Sequence, residues 1–440
     1  MEQHSPLGSF FRYAAHSVLG MLGLSCYILA DTYFISLGVG ARGLTALNLA
    51  IPVYSLVHGI GLMLGMGGAT RYAIARSRSD PEDGNRIFTG TLWLAAGFAV
   101  LFVLAGAFLS GPLARLTGAD PEVFEMTRTY LRVILLFSPA FMLNDIMVCF
   151  VRNDGEPRLA MTGMLTGSLA NILMDYVLIF PLGLGILGAV LATGFAPLIS
   201  LLVMWSHRAR RRNGFHLIRV GLRRFRTLRT FSLGFPALVS EVSSGLVILV
   251  FNFLILGLAG NIGVAAYGVV ANLSLVVLAI FTGLAQGLQP LVSRAHGQGD
   301  PGLAKRLLRY ALITAALLSL VFYLGLALFA DPIAGIFNSG RDPQLQPIAV
   351  QGIRLYFLAI PFAGFNLVWS THLTSTERPR PAHGISLARG MLLIVPLAWL
   401  LSRAAGITGV WLAFPVTEAM VALAAVILLR WRDRRSIKLR

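Results

Sequence analysis

Apolar runs of about 20 residues recur near 14–37, 45–70, 88–110, 131–151, 160–180, 187–206, 232–258, 265–292, 308–330, 350–373, 384–402 and 409–430. At 1.5 Å per residue each is long enough to cross a hydrocarbon core roughly 30 Å thick. Lipid offers no partner to a backbone N–H, so each run has to be a helix. The fold class that follows is an all-α polytopic membrane protein of twelve transmembrane helices. A charged fraction of 12% and a mean hydropathy of +0.75 exclude a soluble domain. No polar stretch is long enough to fold as a separate extramembrane domain. The first run is too long for a signal-peptide core and reads as a retained helix.

The net charge of +17 would suggest a nucleic-acid partner if the basic residues formed a patch. Assigned by parity from an inner N-terminus, they mark one side of a membrane instead. The inner side holds Arg71, Arg76, Arg78, Arg86, Arg152, Arg158, the run from Arg208 to Arg229, Arg294, Lys305, Arg306, Arg309, Arg378, Arg380 and the basic tail from Arg430. Arg42, Arg115, Arg128, Arg341 and Arg403 fall outside, with Arg132, Arg354 and Arg389 at or within helices, so arginine is nearly absent from the spans. This asymmetry puts both termini in the cytoplasm and leaves no role for nucleic acid. Cys26 and Cys149 lie inside apolar runs and read as small buried side chains.

An internal repeat divides the chain. At an offset of 220, Gly43 meets Gly263, Ala46 meets Ala266, Gly67 meets Gly287, and Asp80-Pro81 meets Asp300-Pro301. At 222, Arg132 meets Arg354, Pro139 meets Pro361 and Asn144 meets Asn366; at 221, Gly188 meets Gly409. The expected organisation is a bundle of six helices over 1–206, a basic cytoplasmic linker at 207–231 and a second bundle over 232–440. Six is even, so the halves run parallel about an axis along the membrane normal, an arrangement found in transporters that rock two bundles around a central site.

Residues that differ between the halves carry the functional expectation. Asp31 stands alone in the first helix, where a carboxylate is costly unless it faces a bundle interior or a water path, and its counterpart is Phe251. Asn171 and Asp175 are four apart on one helical face and correspond to Leu393 and Leu397, or to Leu392 and Pro396 at the other offset, none of which can ionise, while Thr193 corresponds to Phe414. These oxygens suit a hard cation such as Na⁺, with Asp31, Asn171 and Asp175 as its ligands, or two close carboxyls can share a proton. Glu241 follows the kink-prone Pro236 and is read as lining a cation path, with Asn144 and Asn366 as further candidates for a substrate cavity. The two asparagines recur and also suit interhelical hydrogen bonding. Asp145, Glu418, His58 and His372 read as structural. The glycines from Gly59 to Gly68 follow no strand and sit inside a span, so they serve close helix packing and not phosphate binding. No zinc-ligand spacing or nucleophile elbow supports an enzyme, and no cofactor is expected.

Together these residues resemble the multidrug and toxic compound extrusion (MATE) family over nearly the whole chain. The resemblance rests on the double repeat, on Ala30-Asp31-Thr32, on the loops Ser77-Arg78-Ser79-Asp80-Pro81 and Gly297-Gln298-Gly299-Asp300-Pro301, and on Arg152-Asn153-Asp154-Gly155-Glu156-Pro157. Ala285-Gln286-Gly287-Leu288-Gln289-Pro290 looks most like the bacterial MepA-like branch. The resemblance implies a V-shaped, monomeric antiporter of the bacterial inner membrane, in contact with membrane lipid, that expels organic cations while H⁺ or Na⁺ flows in. It also implies a cation or proton coupling site at Asp31, Asn171, Asp175 and Thr193, matching the family position by position. The first apolar run lacks the proline around which some relatives bend. No acid lies between Gly352 and Thr371, where the sodium-dependent branch has one, so no sodium site is expected in the second bundle. The rival is a flippase for a lipid-linked oligosaccharide or cell-wall precursor, which needs a cationic cavity for pyrophosphate.

Overall fold

The computed structural model describes residues 5–209, 213–219, 227–338 and 342–438, and among them there is helix and no strand. The first half comprises α1 (Pro6–Gly38), α2 (Ala41–Ser77), α3 (Pro81–Phe108), short α4 (Ser110–Leu116), α5 (Phe124–Leu136), α6 (Ser138–Asn153), α7 (Pro157–Ile179) and α8 (Gly185–Ala209). The second comprises α9 (Thr227–Gly297), α10 (Pro301–Leu328), short α11 (Ala330–Phe337), α12 (Leu345–Tyr356), α13 (Ile360–Ser375), α14 (Pro379–Leu387) and α15 (Ile394–Lys438).

By length and apolarity, nine helices among the described residues can cross a membrane, or ten when the pair α5 and α6, bent by 50°, counts as one crossing. Two of these are double. A straight α9 would run roughly 100 Å, about three bilayer cores, and it breaks at Gly260 (φ 60, ψ −157). Phe251 and Tyr267, which a straight helix would hold about 24 Å apart, meet with ring centroids at 5.6 Å. The other double helix turns at Gly406 (φ 58, ψ −136), within α15. Twelve crossings result, as the apolar runs require.

The repeat is written into the backbone as well. Gly40 (φ 79) joins α1 to α2 where Gly260 (φ 60) turns α9, and Gly185 (φ 53) opens α8 where Gly406 (φ 58) turns α15. A Cβ at these positive φ values is strained, so glycine is needed for the reversal in both halves. The bends recur too. Pro139, which removes an N–H and crowds the preceding turn, opens α6, and Pro361 opens α13 after a 3₁₀ turn at Phe357–Ala359.

Each half has its own apolar core, one around Leu64, Ile134 and Phe150, the other around Phe251, Phe281 and Trp411. The halves meet at the end that carries the loops after α2, α6 and α9. There a Cβ on Gly287 would lie 2.7 Å from the Ala14 Cα, and one on Gly283 2.6 Å from the Val18 Cα, so only glycine lets α1 and α9 approach this closely. Buried amides stitch the seam: Asn153 Nδ2 donates to Gln289 Oε1 at 2.8 Å, Gln289 Nε2 to Thr70 Oγ1 at 2.9 Å, and Arg294 Nη2 to the Asn153 carbonyl at 2.7 Å. Away from this seam both halves line a cavity of about 490 Å³.

Part of the basic linker docks on the first half. Phe215 is buried against Tyr72, Phe88 and Phe150, with ring centroids at 5.8, 4.6 and 5.7 Å. Beside it the Gly214 N–H donates to Asp154 Oδ2 at 2.6 Å, and Tyr72 donates its hydroxyl proton to Asp154 Oδ1. Burial pushes the Asp154 carboxyl up, but bonds from His207, Tyr72 and Gly214, with the Arg76 charge, outweigh it and hold the group below the usual carboxylate range. Residues 210–212 and 220–226 of the expected linker lie outside the described residues. Two smaller expectations change: Cys26 is exposed on α1 while Cys149 is buried, and Arg152 is inside α6 at 2% exposure rather than in a loop.

Candidate coupling site and central cavity

Gly163, Gly167, Asn171 and Asp175 follow one another at four-residue spacing and so form one stripe of α7. The glycines let α8 close in: a Cβ on Gly167 would lie 3.0 Å from the Ala196 carbonyl oxygen, and one on Gly163 3.0 Å from the Met204 side chain. Gly20 and Gly23 of α1 likewise receive Met164 and Leu165 of α7. The polar residues one and two turns further along are thereby drawn together from three helices.

Asp31 is 6% exposed, Asn171 and Asp175 are 0% exposed, and Thr193 is 5% exposed. The Asn171 amide, oriented to satisfy its neighbours, donates to Asp175 Oδ2 at 3.0 Å and accepts from the Thr193 backbone N–H at 3.2 Å. The carboxyls of Asp31 and Asp175 lie within reach of a shared side-chain hydrogen bond. Oδ1 of each has no partner among the described residues. Thr193 takes part through its backbone, since its hydroxyl donates to the Ala189 carbonyl at 3.2 Å. The structure thus brings all four expected residues into one cluster.

Asp31, Thr193 and Tyr130 reach the wall of the central cavity, whereas Asn171 and Asp175 lie behind it. Tyr27, one turn before Asp31, shares a hydrogen bond of 3.1 Å with Tyr54. These tyrosines were not singled out from sequence, although the four-residue step from Tyr27 to Asp31 would have flagged the first.

Of the cavity candidates, Glu241 lines the central cavity from the second half. Asn144 lines instead an adjoining side pocket of about 80 Å³, together with His58 and Asp145. Asn366 is a correction: it does not line the cavity, being fully buried and donating through Nδ2 to Glu418 Oε2 at 2.7 Å and to the Glu418 carbonyl at 3.0 Å. Glu418 is held in turn by Arg389, which donates from Nη2 and Nε to Oε1 at 2.6 and 3.0 Å. Arg389 sits on a π turn at Ala388–Leu392, and π turns re-aim side chains by widening the helix locally. Arg152, in the last turn of α6, is 2% exposed. Arg152 donates to Gln286 across the seam at 2.8 Å.

The MatE family profile matches residues 17–177 and 236–400. The multidrug export protein MepA of Staphylococcus saprophyticus is 24% identical, aligned over 99% of this chain and 96% of its own. The FAD transporter of Shewanella oneidensis is 28% identical over 93% of this chain and 91% of its own. Among solved structures, a multidrug resistance MATE transporter in an outward-facing conformation superposes with a TM-score of 0.91 at 21% identity, covering 99% of this chain and 98% of the other. A transporter of the same superfamily from Pyrococcus furiosus, described as having a binding pocket of reversed polarity, superposes with 0.89 at 21% identity over 98% and 96%.

Proposed function

The chain belongs to the MatE family of multidrug and toxic compound extrusion transporters, and from that premise we propose that it is a secondary antiporter exporting cationic amphipathic compounds. It is a transporter and not an enzyme. The exchanged ion is H⁺ or Na⁺, and Asp31, Asn171, Asp175 and Thr193 form the coupling centre. The observation that carries the reading is the buried Asp31–Asp175 pair, each with one carboxyl oxygen left without a partner. Two bare carboxylates this close would repel in a medium that screens poorly, so the pair holds a cation between them. A proton fits the geometry better than Na⁺. Asn171 turns its donor nitrogen toward Asp175 and the Thr193 hydroxyl is spent on its own helix, leaving few oxygens for a metal that wants a full shell.

Coupling follows if the two orientations of the V differ in affinity for that proton, since only differential affinity moves such an equilibrium. The cavity supports an organic cation as cargo. Tyr27, Tyr54, Tyr267, Tyr356 and Phe414 offer aromatic faces, and Glu241 offers a negative charge. The Shewanella relative favours one second reading, export of a large anionic metabolite, for which Arg389 would be the recognition group; Glu418 already neutralises it. A flippase for a lipid-linked precursor meets the same objection. Both termini are placed in the cytoplasm by the arginine asymmetry.

The test is transport of ethidium by the full chain in liposomes, with a pH gradient and a Na⁺ gradient imposed separately. Accumulation driven by the pH gradient is expected in wild type, and loss of it in Asp31→Asn and Asp175→Asn with the protein still folded. Normal driven transport by both variants would refute the assignment.

A further inference from the structure

The side pocket beside the cavity contains a second titratable cluster that the coupling centre does not use. His58 Nδ1 of α2 lies 3.0 Å from Asp145 Oδ2 of α6, with side chains 15% and 7% exposed. Glu241 of α9 comes from the other half of the molecule and packs against α2 beside His58: a Cβ on Gly59 would lie 3.2 Å from the Glu241 Cβ. Gly61 and Gly65 leave room for α6, the first facing the Asp145 side chain, while a Cβ on the second would lie 3.0 Å from the Asp145 carbonyl oxygen. The pocket therefore spans the seam, with Glu241 shared between it and the central cavity.

Its charges do not balance without a proton. The titratable and charged groups around His58 are Tyr54 on its own helix, Tyr27 on α1, Asp145, Cys149 and Arg152 on α6, and Glu241 on α9; the lining residues from α7 and α8 add none. Two acids face one permanent cation, Arg152, which lies two turns from Asp145, about 10 Å along the helix. With both acids ionised, one negative charge stays unmatched while His58 is neutral, and a buried site tolerates that poorly. A proton on His58 closes the deficit. So does an organic cation lying against Glu241.

We propose that the side pocket of His58 and Asp145 is a second proton-binding site, filled while the central cavity is empty and vacated when an organic cation sits against Glu241. The inference rests on the reading of the central cavity as a site for organic cations. The pocket, about 80 Å³, is small beside the central cavity of about 490 Å³ and adjoins it at Glu241, so a drug-sized cation fits the cavity while the proton is held next to it. They compete through charge, and the proton leaves His58 to cavity water. Stacking of His58 on Tyr54, with ring centroids at 5.9 Å and planes 7° apart, and the Tyr54–Tyr27 hydrogen bond tie this site to the helix that carries Asp31.

The test uses purified full-length protein in detergent, with tetraphenylphosphonium as the probe. Protons released on binding are counted with an indicator dye in weak buffer, and affinity is measured at about pH 6 and about pH 8, either side of the usual histidine range. His58→Gln is expected to release about one proton fewer than wild type and to bind more tightly than wild type at the lower pH, by up to about tenfold per pH unit, the limit for one competing proton. Asp145→Asn also loses about one released proton, but its pocket is balanced without one, so it binds more weakly than wild type at the higher pH. A merely structural role would not move the two affinities in opposite directions. Release by His58→Gln equal to wild type, or both variants shifting affinity the same way, would overturn the proposal. If one variant does not elute as folded protein, the proton count of the other decides. A wild type that binds no probe at either pH overturns the organic-cation reading and this inference with it. A wild type that binds, with unchanged release in His58→Gln, overturns this inference alone.

Discussion

The two halves share a backbone and put opposite chemistry into it. Asn144 and Asn366 occupy the same repeat position, yet Asn366 donates to a fully buried Glu418 clamped by Arg389, whereas Asn144 lines the side pocket of His58 and Asp145. Where the first half places Asp31, the second places Phe251, packed at 0% exposure against Tyr267 and Tyr356. At the position of Thr193, Phe414 stacks on Tyr356 with centroids 4.7 Å apart. The fully buried acid of the second half, Glu418, is paired with an arginine, whereas Asp31 and Asp175 of the first each keep one carboxyl oxygen without a partner among the described residues. A paired network holds shape, and an open one can bind and release a charge. One fold therefore carries a clamped carboxylate in one half and an open carboxyl pair in the other.

That contrast breaks most sharply at the acids. Asp31→Asn and Asp175→Asn are expected to reduce pH-driven ethidium transport to the level of empty liposomes without a loss of thermal stability. Glu418→Gln should do the reverse in kind, because it strands the Arg389 charge: a loss of about 3–5 kcal/mol, read as a lower melting temperature in detergent. The double change Arg389→Met with Glu418→Leu should recover most of it. Equal destabilisation by Asp31→Asn and Glu418→Gln would erase the distinction between the halves.

A smaller effect concerns the loops. Asp154 of the first half anchors the linker, while its repeat counterpart Thr376 bonds only to its own helix end, its hydroxyl donating to the His372 carbonyl at 2.9 Å. Since the Asp154 carboxyl is held low in the folded protein, its stabilisation is complete above the unfolded value of about 3.9 and is lost as pH falls through the lower folded value. Asp154→Asn should lower the melting temperature at neutral pH, narrow the gap to wild type on acidification below about pH 4, and expose the linker to trypsin. A gap that does not change with pH would mean the anchor is steric. The smallest effect is expected for Tyr27→Phe, which removes one hydrogen bond worth about 0.5–1.5 kcal/mol and leaves the aromatic packing. Its value is as a gauge of whether the two titrating clusters communicate: an unaltered proton count per bound cation would show them to be independent.

Much of the proposed coupling centre is legible in the sequence because its signals are local or costly. A lone acid in a span is conspicuous against lipid, Asn171 and Asp175 declare a shared face by spacing, and the mismatch with Phe251 and Leu393 singles them out. The partnership of His58 with Asp145 is not legible in the sequence, because the contact needs α2 and α6 to meet over Gly61 and Gly65. For Asn366 the sequence offers both a cavity wall and interhelical hydrogen bonding, since an amide in a span has to find a partner; packing selects the second, with Glu418 as the partner.

Alone, the chain determined twelve crossings, their duplication and the side on which arginine collects, since each follows from the cost of exposing backbone or charge to hydrocarbon. Tertiary structure decided which buried charges are cancelled and which stand open. Charge balance depends on distances between helices, and no spacing along one helix contains them.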